Sequence, residues 1–268
     1  MNVKILNYKL DKNELCKIKE RANFDTFRIE NSVRKIMDKV KAEGDYALDY
    51  YTKKFDNVVL DDLITDANEI KEAYRQLSKK QINAIKKTSL SIRKFAKRQL
   101  PKPWFEEISP GIKAGILIRP IERVGCYIPA GKYPLPSTVL MSVIPAKVAG
   151  VKEIVLASPP QKDGKINPAI LVAADIAGAT KIIKAGGAQA IAAMAFGTKT
   201  VPKVDKIVGP GNIYVTEAKR QLYGYVDIDM LAGPTELVVI ANRYSNPQFV
   251  IADLAAQGEH LKGLSVLV

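Results

Sequence analysis

Two glycine-rich turns contain the residues whose types and spacing favour ligand chemistry. The motif GGAQ at residues 186–189 leads into AIAAMAFG, and GPGN at residues 209–212 leads into IYVTEAKRQL. Glycines let a backbone approach a ligand closely, and the free N–H groups of a following helix attract phosphate or carboxylate. Neither motif fits G-x-G-x-x-G, so each alone is more typical of a plain strand-to-helix connection. Two such turns in successive units favour a ligand site at the carboxyl ends of the strands.

A third turn lies in VGCYIPAGKYPLPSTVLM, where Tyr127 follows a strand-like segment. Its ring suits stacking on a cofactor or a hydrogen bond to it, and it suits equally a half-buried aromatic residue at a strand end. The preceding Cys126 has no cationic or histidine neighbour in the sequence that would activate its thiol. We therefore interpret Cys126 as a small buried hydrophobic residue and not as a nucleophile.

The chain contains a single histidine, His260, three positions after Gln257 on a predicted helix. This spacing places the amide and the imidazole on one helix face, where both are able to bind one metal ion. A zinc centre needs at least three protein ligands, and an isolated helical histidine is more often an ordinary half-buried polar residue. The spacing alone leaves the metal site open.

The elements that position these residues differ between two parts of the chain. The first hundred residues contain one glycine, Gly44, and no proline, which favours successive helices. The predicted helices cover residues about 12–21, 30–54 and 66–100, with a turn near 55–61. From residue 111 onward, short apolar runs alternate with Gly/Pro turns and small-residue helical segments, as in βαβ units. We predict an α/β fold, with a helical N-terminal layer followed by Rossmann-like parallel-sheet units.

Length and composition exclude several classes of protein. The 268 residues are 47% hydrophobic and 26% charged, which excludes disordered, collagen-like and fibrous chains. Because no apolar run has the length of a membrane span or of a signal-peptide core, we expect a cytoplasmic protein without a membrane partner. Cys16 and Cys126 are far apart in sequence, so a disulfide framework and a cysteine-based zinc site are unsupported.

The formal net charge of +13 favours anionic partners. The one concentrated basic run covers residues 73–105, where Lys79, Lys86 and Arg93 repeat every seven positions along one helix face. We interpret this run as the solvated face of an amphipathic helix. Since no known nucleic-acid-binding motif accompanies it, we expect no nucleic-acid partner and keep nucleic-acid binding as a minor alternative.

The last residues, LSVLV, form an apolar strand-like segment without a polar cap. We therefore expect the chain to be the N-terminal part of a longer protein.

Five segments occur in an order and approximate spacing that resemble histidinol dehydrogenase. They are VGCYIPAGKYPLPSTVLMSVIPAKVAGV, GGAQAIAAMAFGT, VPKVDKIVGPGNIYVTEAKRQLYG, DIDMLAGPTELVVIA and DLAAQGEH. The resemblance implies zinc-dependent oxidation of L-histidinol through L-histidinal to L-histidine with two NAD+, the last two steps of histidine biosynthesis. It also implies two incomplete Rossmann-like domains and an intertwined homodimer.

The resemblance assigns roles to six positions of this sequence. Tyr127, Gln189 and Asn212 match NAD-contacting positions. Thr235 matches a substrate-contacting position that is often serine. Gln257 and His260 match zinc ligands that also contact the substrate, although Gly258 and Leu261 depart from the usual residues of that motif.

The resemblance also implies a division into domains. Residues 1–21 would form an N-terminal arm, and residues 127–235 a second Rossmann-like domain that contacts NAD. Residues 22–126 together with 236–268 would form the first Rossmann-like domain, with the helical layer, truncated at its C-terminal end.

The Glu-His acid/base pair of the family and its remaining Asp and His zinc ligands match no position up to Val268. We therefore expect no catalytic residue within these 268 residues and no dehydrogenase activity from the chain alone. The alternative interpretation is a non-catalytic α/β binding or scaffold module derived from this family.

Overall fold

The structure, a computed structural model, describes residues 5–7, 9–20, 27–130, 134–233, 235–258 and 264–268. The chain separates into two compact units. Unit 1 combines Met1–Asp25 with Ala232–Val268, and unit 2 is Thr26–Leu231. The predicted domain boundaries stay a prediction.

Helices and strands alternate from residue 123 onward, as the sequence indicates. The helices are α1 (Lys12–Glu20), α2 (Phe27–Glu43), α3 (Asp45–Asp56), α4 (Ala67–Gln76), α5 (Lys79–Gln99), α6 (Pro136–Val148), α7 (Pro168–Ala177), α8 (Gly187–Phe196), α9 (Ile213–Leu222) and α10 (Pro247–Gly258). The strands are β1 (Trp104–Ser109), β2 (Ile112–Ile116), β3 (Arg123–Tyr127), β4 (Glu153–Ser158), β5 (Lys181–Lys184), β6 (Lys206–Val208), β7 (Asp227–Ile228), β8 (Glu236–Val239) and β9 (Leu264–Leu267).

Each of the two long predicted helices is two helices in the structure, so the prediction of continuous helices was wrong. The first ends at Gly44, whose φ of 58° lies in the left-handed region that a glycine adopts at little cost. The second ends before Ser78, where a capping box starts α5: Ser78 Oγ accepts from Gln81 N at 3.3 Å, and Gln81 Oε1 accepts from Ser78 N at 2.9 Å.

The centre of unit 2 is a five-stranded parallel sheet with the strand order β5-β4-β3-β6-β7. The chain runs outward from β3 to β5 and then returns to β6, next to β3. A right-handed crossover in each direction places α6 and α7 on one face and α8 and α9 on the other. This is the doubly wound, Rossmann-like arrangement that the sequence predicts.

Apolar side chains cover both faces of this sheet. On the face of α8 and α9, α2 and α3 add the buried residues Val33, Val40 and Leu48 to the core. On the opposite face, α4 and α5 pack against α6 and α7. Burial of a Leu, Ile or Val side chain contributes roughly 1.5–3 kcal/mol, so these helical layers stabilise the sheet on both faces.

The antiparallel hairpin of β1 and β2 differs from the sheet, because every residue of both strands is exposed. It precedes β3 and contributes no residue to the buried clusters of unit 2.

Unit 1 contains α1, α10 and the parallel pair β8 and β9. Helix α10 packs against both strands. The helix and the terminal strand that the sequence predicts in this region are both present. In the described part of the chain, no helix combines the length and apolar character needed to cross a membrane.

Candidate functional site

The two glycine-rich turns and Tyr127 meet at one edge of the unit 2 sheet. Tyr127 is the last residue of β3, residues 186–189 follow β5, and residues 209–212 follow β6. Because all five strands are parallel, these three positions share the carboxyl edge. The strand order reverses between β3 and β6, and ligands of open α/β sheets bind at such a switch point.

Tyr127 connects β3 to the turn before α8. Its hydroxyl accepts a hydrogen bond from Gly187 N at 3.1 Å, and its side chain is only 3% exposed. Burial raises the pKa of Tyr127 to about 12, and the Gly187 N–H opposes that shift. The phenol is therefore neutral and acts here as a hydrogen-bonding group, not as a base.

The GGAQ turn needs glycine at position 187. Gly187 has a φ of 62°, and a Cβ built on it would lie 2.6 Å from Gln189 Oε1. A side chain at this position would strain the backbone and displace Gln189.

Gln189 is the side chain at this edge that most strongly indicates a ligand. It is 2% exposed, and its Oε1 is buried without a hydrogen-bond partner among the described residues. A buried acceptor without a partner costs about 1–3 kcal/mol. An amide oxygen in this state at the carboxyl edge fits a ligand that donates an N–H or an O–H.

The GPGN turn lies against β3. Gly209 has a φ of 114°, and a Cβ on it would lie 2.1 Å from the Tyr127 carbonyl oxygen. Asn212 is exposed and caps α9: its Oδ1 accepts from Tyr214 N at 3.0 Å and from Val215 N at 3.1 Å. The cap uses the amide oxygen of Asn212, and its NH2 group takes no part in it.

An ion pair between a buried lysine and an exposed aspartate, which sequence analysis missed, holds the GPGN turn in place. Lys219 is 2% exposed, and its Nζ contacts Asp229 Oδ1 and donates to the Gly209 carbonyl at 3.0 Å. Asp229 Oδ2 accepts from Gly209 N at 2.8 Å. Both polar groups of Gly209 are thus fixed. In the sequence, Lys219 resembles any cation on an amphipathic helix, so no local signal identifies it.

Asp56, the last residue of α3, is a second residue that sequence analysis missed. Its Oδ2 is buried without a hydrogen-bond partner among the described residues, and burial raises its pKa to about 6. Helix α3 packs against α8, the helix that begins at Gly187. The segment KFDN around it carries no sequence signal for a site.

Cys126 is fully buried, and burial raises the pKa of its thiol to about 12. The thiol therefore stays protonated near neutral pH, which agrees with the interpretation of Cys126 as a buried hydrophobic residue.

In unit 1 the structure brings together two of the three predicted substrate or zinc residues. Gln257 is 8% exposed, and its Nε2 donates to the Thr235 carbonyl at 2.7 Å. His260 lies outside the described residues. Within the described ranges, no group of three or more His, Cys, Asp or Glu side chains is placed to hold a metal ion.

The basic run lies mostly on α5. Ile85 and Ala96 are buried on the side that packs against α6 and α7, whereas Lys79, Lys86 and Lys94 are exposed. This distribution is that of an amphipathic surface helix. The expected absence of a nucleic-acid partner stays a prediction.

Three comparisons with known proteins bear on this site. The family model described as histidinol dehydrogenase matches residues 19–268. A histidinol dehydrogenase of Methanothermobacter thermautotrophicus is 46% identical over 259 residues, which cover 96% of this chain and 61% of that protein. A histidinol dehydrogenase of Streptococcus mutans is 52% identical over 232 residues, 87% of this chain and 54% of that protein.

The fold is also similar to a solved structure. The crystal structure of histidinol dehydrogenase from Elizabethkingia anophelis has a TM-score of 0.86 and 46% identity, covering 89% of this chain and 56% of that chain. The present chain therefore spans little more than half the length of the relatives that it matches.

Proposed function

Because this chain belongs to the histidinol dehydrogenase family, we propose that it serves the zinc-dependent, NAD-linked oxidation of L-histidinol through L-histidinal to L-histidine. The observation that best supports this proposal is the unpartnered, buried Oε1 of Gln189 at the sheet edge that also contains Tyr127 and Asn212. The last two steps of histidine biosynthesis are the reaction we assign to the complete active site.

The residues at this edge fit NAD. Glycines at 187 and 209 let the two turns pack closely against Gln189 and the Tyr127 carbonyl, and Gln189 Oε1 offers an acceptor to an N–H or O–H of the dinucleotide. Asn212 lies at the N-terminus of α9, where the helix dipole favours phosphate. Tyr127 offers a neutral phenol and a flat ring for orientation. NAD, when bound, accepts one hydride in each of the two oxidation steps.

Thr235, Gln257 and His260 are proposed to hold the substrate, and Gln257 and His260 to bind zinc. Gln257 gives its amide N–H to Thr235, so the amide is turned with Oε1 as the atom outside this bond, and an oxygen donor suits zinc. Zinc, when bound, would fix the substrate as a template. Thr235 and Gln257 would orient the substrate at the zinc site.

The family's acid/base pair is proposed to lie outside these residues. The sequence contains one histidine, which the zinc site requires, so none is left for a Glu-His pair. We also propose a cytoplasmic homodimer for the complete enzyme. Purified chain should accordingly produce no NADH from L-histidinol, and NADH formation above a no-substrate background would contradict this assignment.

Direct binding of NAD+ to the 268-residue chain tests the dinucleotide site without turnover. Gln189→Met removes the unpartnered acceptor and keeps the side-chain length, and calorimetry should show binding weakened roughly tenfold. The control is Gln76→Met, a change at an exposed glutamine on α4. Equal affinity of the Gln189→Met variant and the control would contradict the site.

A further inference from the structure

The carboxyl edge of unit 2 includes an acidic side chain that the proposed function does not use. Asp56 ends α3, and α3 packs against α8, the helix that begins at Gly187 and contains Gln189. Asp45, the first residue of α3, accepts from Thr200 Oγ1 beyond the end of α8, so α3 runs antiparallel to α8 and ends toward Gly187, whose N–H donates to the Tyr127 hydroxyl. Asp56, Tyr127 and Gln189 thus border one region, with Asp56 contributed by a helix outside the βαβ units.

The carboxylate of Asp56 lacks the partners that buried carboxylates normally have. Asp56 is half-buried, and its Oδ2 is shielded from solvent without a hydrogen-bond partner among the described residues. The neighbouring Lys54 lies over the rings of Tyr50 and Phe55. Burying an unpaired carboxylate is costly, so its retention points to a partner that arrives from outside.

Asp56 also gives no stability to its own helix. It occupies the last helical position, where the helix dipole disfavours a negative charge. A carboxylate with this burial, this placement and no partner therefore has no evident structural purpose.

Three side chains at the edge have a buried oxygen without a hydrogen-bond partner among the described residues: Asp56, Ser158 and Gln189. Asp56 Oδ2 and Gln189 Oε1 are acceptors only, whereas the Ser158 hydroxyl both donates and accepts. The two acceptors recognise a ligand that presents donors. A dinucleotide offers donors as ribose hydroxyls and amide or amine N–H groups. A phosphate has no donor to offer at neutral pH and would be repelled by the carboxylate.

We propose, on the basis of the dinucleotide site assigned above, that Asp56 accepts a hydrogen bond from a ribose hydroxyl and thereby selects NAD over NADP. Acidic side chains recognise ribose hydroxyls in this way in doubly wound folds, where a 2′-phosphate requires a cation instead. In this chain the acid comes from α3, before the first strand of the sheet, and not from the end of the second strand.

The test measures NAD+ and NADP+ binding to the 268-residue chain by calorimetry. The variants are Asp56→Asn, which keeps the shape and removes the charge, and Asp56→Ser, which keeps a small acceptor. The control is Asp49→Asn, because Asp49 lies two turns earlier on α3 and is exposed. Thermal unfolding of each variant confirms that it is folded.

Wild type and Asp49→Asn should bind NAD+ roughly tenfold or more tightly than NADP+, and both Asp56 variants should lose this preference. The loss should come from weaker NAD+ binding together with unchanged or tighter NADP+ binding. A retained preference, or an equal weakening of both ligands, overturns the role of Asp56 and leaves the dinucleotide site standing. If wild type binds neither ligand, the proposed function fails first, and this inference fails with it.

Discussion

The two edges of the unit 2 sheet are built from the same five strands and differ in how their polar groups are satisfied. At the amino edge, Arg123 forms two hydrogen bonds to Glu153, at 2.6 and 2.9 Å, and Lys206 pairs with Asp227 at 2.8 Å. At the carboxyl edge, buried oxygens of Asp56 and Gln189 have no partner among the described residues. The charges at the amino edge are paired with one another, whereas these carboxyl-edge oxygens are the feature on which the proposed ligand site rests.

The charged pairs at the two edges also differ in what they stabilise. The amino-edge pairs are exposed, and such pairs contribute about 0–1 kcal/mol. In the Lys219–Asp229 pair at the carboxyl edge, Lys219 is buried and Asp229 is exposed, and the two side chains fix the backbone of Gly209. Because Lys219 also donates to the Gly209 carbonyl, this pair is more sensitive to the loss of its cation.

Lys219→Met is expected to have the largest effect. It leaves Asp229 without its cation and the Gly209 carbonyl without its donor, so the free energy of unfolding should fall by about 3 kcal/mol. NAD+ binding should weaken with it. The matched change at the amino edge, Lys206→Met, should cost less than about 1 kcal/mol. Urea unfolding compares the two, and equal losses would remove the distinction between the edges.

Gly209→Ala comes second. The added methyl group would lie 2.1 Å from the Tyr127 carbonyl oxygen, at a φ of 114° that an alanine rarely adopts. We expect a loss of about 2 kcal/mol and weaker NAD+ binding. Gly224→Ala is the control, since Gly224 also has a positive φ, 92°, and open space around it. If the free energy of unfolding falls equally in both variants, the close approach of Gly209 to β3 does not contribute to stability.

Asp56→Asn should have the smallest effect, with the opposite sign. The ordinary pKa of Asp56 is 3.8, and burial raises it to about 6 in the folded chain. Protonation of Asp56 therefore stabilises the fold below the unfolded pKa, and this contribution is lost as the pH rises through the folded pKa. Near neutral pH the variant should melt about 2 to 5 °C higher than wild type.

Below about pH 4 both forms carry a neutral side chain, so this difference in melting temperature should disappear. Melting curves of both proteins between about pH 4 and neutral pH test this pH dependence. A variant that is less stable than wild type near neutral pH would show that the Asp56 carboxylate has a structural partner.

The sequence predicts the strands and turns that form the site better than it predicts the buried side chains around them. Alternation of apolar runs with Gly/Pro turns predicts the parallel sheet, and it places Tyr127, Gln189 and Asn212 at strand ends, because the succession of strands and turns along the chain is a local property. The break at Ser78 was also readable, since Ser-Lys-Lys-Gln is a capping-box pattern. It was missed because the helical periodicity continues on both sides.

Asp56 and Lys219 were beyond sequence reasoning. Both are ordinary charged residues on helices, and their importance arises from burial and from contacts with residues distant in the sequence or across the sheet edge. Only tertiary structure distinguishes them from the exposed Asp49 or Arg220 on the same helices. The roles assigned to Thr235, Gln257 and His260 stay predictions.

The central claim is that NAD binds at the carboxyl edge of the unit 2 sheet. A crystal structure of the 268-residue chain with NAD+ tests it most directly. We predict that the dinucleotide contacts Tyr127, Gln189 and Asn212, with one hydrogen-bond donor directed at Gln189 Oε1. Density for NAD+ at the amino edge, near Arg123 and Lys206, or a ligand that leaves Gln189 Oε1 without a partner, would contradict the account.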